Sequence, residues 1–213
     1  MLIAFVRQRS IMHIQIYKEG LCMDKWQFLR EHMQLKDQEL IDAVYKVSKI
    51  EQIKKGKQII REGELQIEFM FLIQGVFRGY FFDINGKEIT DCFGFECGDP
   101  IMSCHELGGV EKTTIVALTD IQVLKISVVS LQELLSRYQE LTKLYIHLLV
   151  KALNRHWRIK EARYRLQAKE RYLWFLDEYA DLVPYVKKKD IASFLDLHQG
   201  SLCRVQRELL KEK

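Results

Sequence analysis

Apolar residues recur every three or four positions from Trp26 to about Ser48, at Trp26, Leu29, Met33, Leu40, Ile41, Val44 and Val47, and Leu35-Lys36-Asp37 interrupts the run. This spacing predicts two short helices, each with one face on a core. The texture then changes. Residues 50–60 and 69–73 alternate apolar and polar positions and are rich in β-formers, with Lys55-Gly56-Lys57 and Glu62-Gly63-Glu64 as turns. Residues 76–82 and 89–93 flank Asn85-Gly86, which predicts a hairpin closed by a type I′ turn. Residues 113–126 read as two more strands joined near Thr119-Asp120. Short strands with turns this frequent predict a barrel or jelly roll of roughly 80 residues.

After Val128 the helical period returns and lasts to about Arg165. Leu131, Tyr138, Tyr145, Ala152 and Ile159 are spaced by sevens, with Leu134, Leu141 and Leu148 three residues later in each heptad, which is the pattern of a coiled-coil seam. Leu135, Leu144, Leu149 and Leu153 supply a second apolar face. A helix of about 50 Å, at 1.5 Å per residue, outreaches so small a barrel. One stripe is therefore expected on the barrel and the other on a second copy of the chain. Arg155 occupies a seam position, so tight pairing should end near it.

Composition adds a direction to this picture. The fractions of charged, apolar and aromatic residues among the 213 are those of a globular protein. The longest apolar runs fall far short of the roughly 20 residues that cross a bilayer, so no membrane span is expected. Residues 2–6 are apolar, but Arg7 and Arg9 follow where a signal peptide needs a longer hydrophobic region. Residues 1–22 fit nothing downstream, and Met23-Asp24-Lys25 reads as a natural start, so Met23 is expected to be the true initiator and residues 1–22 an extension outside the native protein. Five cysteines (Cys22, Cys92, Cys97, Cys104, Cys203) form no disulfide framework and suit a reducing, cytoplasmic compartment. Net charge is +6 over residues 151–213 and −2 over the first 150. The basic third points to a polyanionic partner.

That third carries the chemistry. Ile191, Ala192 and Leu195 are spaced to pack one helix against Leu202, Val205 and Leu209 of the next, and Ala192 is small enough for close approach. Asp196 falls at the turn between them and tolerates left-handed backbone. The pattern is that of a helix-turn-helix whose second helix starts near His198 or Gln199. Gln199 and Arg204 are the expected base readers, because Gln pairs two-fold with adenine and Arg with guanine. Ser201, Arg207, His198 and the run Lys187, Lys188, Lys189 are expected on the DNA backbone or beside it.

The order of parts resembles the Crp/Fnr transcription regulators. Residues 55–57 through 62–64, 72–80, 86–88 and 117–120 look like successive β-roll motifs of that family, and Arg171-Tyr172 with residues 191–195 and 201–204 resemble its DNA-binding domain. The resemblance implies an α+β protein: a cyclic-nucleotide-binding-like β-roll with helical lead-in (residues 23–128), a dimerisation helix (129–165) and a C-terminal winged helix-turn-helix (166–213). It implies a homodimer on double-stranded DNA, with RNA polymerase as a candidate partner and a small-molecule effector of unknown identity. The effector pocket would involve Gly98, Asp99, Ser103, Cys104, Thr113 and Thr114. In cAMP-binding members a Glu holds the ribose and an Arg the phosphate. Here Ser103 stands at the first position and Glu111 at the second, with Lys112 beside it, so cyclic nucleotides are not expected to bind. A thiol or metal redox sensor on the same scaffold is the alternative, given Cys92, Cys97 and Cys104 within thirteen residues and Cys203 in the reading helix. The spacing matches no zinc pattern, and neither a metal, a cofactor nor an enzymatic constellation is expected.

Overall fold

A computed structural model describes residues 23–103 and 106–211. The extension over residues 1–22 and the pocket candidate Cys104 lie outside them. The described residues open with helix α1 (Lys25–Gln27), capped by the Asp24 carboxylate, which accepts the Gln27 N–H. It widens into one π-helical turn over Phe28–His32 before α2 (Gln38–Val47), capped by Asp37. Phe28, Leu29, Leu40 and Ile41 bury the inner faces of this lead-in.

Eight strands follow: β1 (Ser48–Ile53), β2 (Gln58–Ile60), β3 (Glu68–Gln74), β4 (Phe77–Phe82), β5 (Glu88–Gly94), β6 (Pro100–Ile101), β7 (Thr114–Ala117) and β8 (Ile121–Ser127). They form two four-stranded sheets in the orders β1-β8-β3-β6 and β2-β7-β4-β5, all neighbours antiparallel. This is the predicted β-roll. β3 and β8 carry near-continuous apolar runs and are buried along most of their length, as strands covered on both faces must be. β5 is an edge of the second sheet.

The β4–β5 hairpin is present, but its turn is not type I′. Gly86 has φ 75° while Asn85 does not adopt positive φ. The Asp83 carboxylate accepts the N–H groups of both Asn85 and Lys87, and Gly86 N–H reaches Asp83 O. Those bonds hold a longer loop in which only the glycine is left-handed.

The segment expected as one long helix is two. Helix α3 (Val128–Arg137), capped by Ser127, ends at Tyr138 in extended backbone (φ −118°, ψ 107°), and α4 (Gln139–Arg165) begins beyond it. The Tyr138 hydroxyl donates to Glu39 and the Thr142 hydroxyl bonds Leu135 O, so the break is tied to the lead-in and to the end of α3. The seam expectation is overturned over its first half. Leu131, Leu134, Tyr138 and Leu141 are buried in the chain's own core, together with Phe69, Phe71 and Leu124 of the first sheet, and Tyr145 and Leu148 pack on the same cluster. Ala152 is half-buried, and Arg155, at the next seam position, turns inward to Asp99. A heptad of large apolar residues marks what must leave water, and here the β-roll takes it.

What α4 leaves exposed is a different stripe. Ile146, Val150, Leu153 and Trp157 are 53%, 49%, 66% and 56% exposed. Their four-three-four spacing puts them on one face of the helix. Beyond α4 come α5 (Ala168–Glu178), a 3-10 turn (Ala180–Leu182), α6 (Lys188–Phe194) and α7 (Gln199–Lys211). No strand follows β8 among the described residues, so the wing of the expected winged helix is not part of them.

Candidate nucleic-acid interface

Helices α6 and α7 form the predicted pair. Ile191, Ala192, Phe194 and Leu195 are buried with Leu202 and Val205, and Leu209 packs at the margin. Between the helices Asp196 adopts φ 53°, the left-handed geometry anticipated for it, and Leu197 N–H returns to Ala192 O. Arg171 fixes the turn from below. Its Nη1 donates to the carbonyls of Leu195 (3.1 Å) and Asp196 (3.2 Å), while Nε donates to Leu166 O at the end of α4. One guanidinium thus satisfies carbonyls that two helix ends leave open. Sequence reasoning had placed Arg171 only within a resemblance and gave it no task.

Helix α7 begins at Gln199, where the His198 Nδ1 accepts the Gly200 N–H at 3.2 Å. Its outer face carries Gln199, Gly200, Arg204, Arg207, Glu208 and Lys211, all exposed, with Ser201 and Cys203 half-buried at its sides. Gly200, Arg204, Arg207 and Lys211 follow at four, three and four, so a cationic stripe runs the length of the helix behind a first position without a side chain. Lys211 had escaped the sequence reading because it lies beyond the recognisable motif. Lys187, Lys188 and Lys189 are exposed at the start of α6. The Gln206 amide donates to the Tyr172 hydroxyl, which ties α7 to α5 away from the outer face.

The residues assigned to an effector pocket are engaged otherwise. Asp99, almost fully buried, receives two hydrogen bonds of 3.1 Å from Arg155 of α4 and the N–H of Glu96. Thr114 Oγ1 accepts the Glu62 N–H, and Thr113 is buried. Ser103 donates to Glu111 at 2.5 Å and accepts the Lys112 N–H. The two positions that would hold ribose and phosphate therefore hold each other, with Glu111 only 4% exposed. Three clefts of about 330, 380 and 350 Å³ occur elsewhere, and neither Gly98, Asp99, Ser103, Thr113 nor Thr114 lines any of them.

Cys92 and Cys97 sit where the thiolate is disfavoured. Burial, reinforced by Asp91, pushes Cys92 up to about 12, and burial with Asp99 does the same to Cys97. Such thiols are protonated near neutrality and poor nucleophiles. Among the described residues no group of three His, Cys, Asp or Glu side chains is placed to hold a metal, and no helix is long and apolar enough to cross a membrane.

A two-sheet β-roll, a long helix and a basic helix-turn-helix in this order define the fold of the Crp/Fnr transcription regulators. Solved structures agree with it. FixK2 from Bradyrhizobium japonicum superposes with a TM-score of 0.69 at 20% identity, over 78% of this chain and 86% of that one. The c-di-GMP-responsive global regulator CLP, which links cell–cell signalling to virulence gene expression in Xanthomonas campestris, gives 0.66 at 15% identity over 83% and 93%. A protein from Eubacterium rectale described as a regulator of the Crp/Fnr family gives 0.66 at 18% over 89% of each chain. By sequence alone, no family model and no curated protein matches.

Proposed function

We propose that the chain is a DNA-binding transcription regulator that acts as a homodimer. The observation that carries this reading is the polarity of α7: one face is buried against α5 and α6, and the other presents Gln199, Arg204, Arg207 and Lys211. Gln199 and Arg204 read base edges, each bidentate contact worth roughly 1–3 kcal/mol of discrimination. Lys187, Lys188, Lys189, Ser201 and Arg207 hold phosphates, which set position and salt dependence. His198 holds the first turn of α7 at the groove's edge.

The exposed stripe of α4 supplies the partner surface. Ile146, Val150, Leu153 and Trp157 of two copies pair along the helix and bring two reading helices to one approximately palindromic site. The effector, if small, is not a cyclic nucleotide, and sensing through Cys92 or Cys97 loses its chemical basis in their burial. RNA polymerase is the partner that such a cytoplasmic regulator addresses.

Fluorescence anisotropy with DNA from the promoter region of the protein's own gene tests the assignment. Affinity should fall steeply with salt, and Arg204→Ala should weaken binding about 5- to 150-fold on that fragment but far less on random duplex. Equal affinity for both duplexes and no effect of Arg204→Ala would overturn it.

A further inference from the structure

The DNA-binding half does not hang from α4 alone; it is docked on the β-roll of its own chain. Edge strand β5 is where they meet. Its outward polar groups would face water on a free sheet, and here α6 and α4 take them: Thr90 N–H donates to Ser193 Oγ (2.9 Å), the Ser193 hydroxyl to Glu88 O (3.4 Å), and Arg163 of α4 to Thr90 O (3.2 Å) and Phe194 O (2.7 Å). Phe93 of β5 enters the aromatic cluster of the other half, with ring centroids 5.1 Å from Phe194 and 6.4 Å from Phe175.

A charge cluster sits in the middle of this contact. Arg78 of β4, its side chain 6% exposed, donates to Thr90 Oγ1 (2.9 Å) and to the Glu88 carboxylate (2.7 Å) and lies 3.6 Å from the Asp190 carboxylate of α6, itself 7% exposed. That last contact is ionic without being a hydrogen bond, and it is the one ion pair of Asp190 among the described residues. Burial pushes the Asp190 carboxyl above its ordinary range, and Arg78 is the largest pull in the other direction.

We infer that Arg78, Glu88 and Asp190 form a latch that locks the helix-turn-helix onto the edge of the β-roll, so that β4 and β5 set the aim of the reading helix directly. This rests on α7 being the reading element. The latch is all-or-none. Docked, Arg78 pairs with both Glu88 and Asp190; undocked, Asp190 hydrates while Arg78 keeps Glu88; half-docked, with Arg78 withdrawn, Asp190 is a buried charge left with only the weaker pull of Lys187 and Lys189, which is the costly state. A small displacement of β4 therefore releases the whole reader instead of bending it. Docking covers β5 and α6 and leaves Gln199 and Arg204 free, so the latch governs aim and not access.

Amide hydrogen exchange on the full-length protein without DNA reads the latch at the Thr90 N–H, whose acceptor belongs to the other half. In Arg78→Met, exchange at Thr90 should accelerate about tenfold or more, as expected when a buried carboxylate loses its partner. Amides of Leu72 and Val123 in the first sheet should keep their rates. Arg78→Met with Asp190→Leu, which removes both charges, should return Thr90 to within about threefold of the unmodified protein. Unchanged exchange in Arg78→Met, or a double variant as fast as the single one, overturns the latch. Should Arg78→Met lose protection in the first sheet as well, Arg78→Gln is judged by the same criteria. Exchange is read on free protein, so the result stands whether or not α7 reads DNA, and the anisotropy assay decides that separately.

Discussion

Leu153→Ala tests the proposed dimer where the structure is most explicit. The side chain is 66% exposed in the single chain and sits between Val150 and Trp157 on the stripe. Complete burial of a leucine is worth about 1.5–3 kcal/mol, so covering the free two-thirds contributes about 1–2 kcal/mol. A two-fold interface presents the residue twice, which raises the loss to about 2–4 kcal/mol, or roughly 30- to 700-fold in the dimer dissociation constant. Sedimentation equilibrium over a range of concentrations measures this directly. Val129→Ala is the matched control: Val129 is also 66% exposed, but it lies on α3, outside the stripe, and should leave association unchanged. If Leu153→Ala dissociates at the same concentration as the unmodified protein, or if Val129→Ala does equal damage, the stripe is not the interface.

Three further outcomes follow from the geometry. Peptide mapping after brief alkylation at pH 7.5 should find Cys92 and Cys97 unmodified in the native protein and labelled once it is unfolded, because thiols held near 12 are ionised only in roughly a few parts in 10⁵ at that pH; raising the pH should speed their reaction, and prompt labelling at neutrality would contradict the burial argument. Calorimetric titration with cAMP to about 1 mM should give no binding heat, since Ser103 and Glu111 are bonded to each other and a buried carboxylate stands where the phosphate needs a cation; a saturable micromolar isotherm would refute this. Asp196→Val should lower the melting temperature by about 2–8 °C, from about 1–2 kcal/mol of left-handed strain in a β-branched residue, whereas Asp196→Gly should hold or raise it; equal melting of the two variants would show that the turn does not need its left-handed residue.

The parts of this fold that local spacing controls were legible in the chain. Ile191, Ala192 and Leu195 facing Leu202 and Val205 could be read because helix packing repeats at three and four, and the positive φ of Asp196 followed from the turn between them. The β4–β5 hairpin was equally visible, but its turn type was not, because the Asp83 carboxylate decides it by accepting two N–H groups of the loop. The seam through Leu131, Leu134, Tyr138 and Leu141 had the right period and the wrong partner: a heptad reports that a face is buried and is silent on which surface buries it. The contacts of the expected effector residues were equally out of reach. Asp99 is committed to Arg155 and Ser103 to Glu111 by contacts across the fold that no local motif encodes. Arg171 and Arg78 were invisible as actors, since each is defined by carbonyls or carboxylates that only the folded chain assembles.

Phe93 has a consequence for how this protein can be taken apart. Its ring is a strand residue by sequence and a member of the Phe175, Tyr179, Phe194 cluster by packing, so the seam between modules does not coincide with any point along the backbone. A chimera that transplants residues 166–211 onto another sensor inherits a hole where that ring belongs, and the excised sensor displays a bare phenylalanine on an uncovered strand. Engineers wishing to rewire inputs to this reader should move the β4–β5 ribbon together with it.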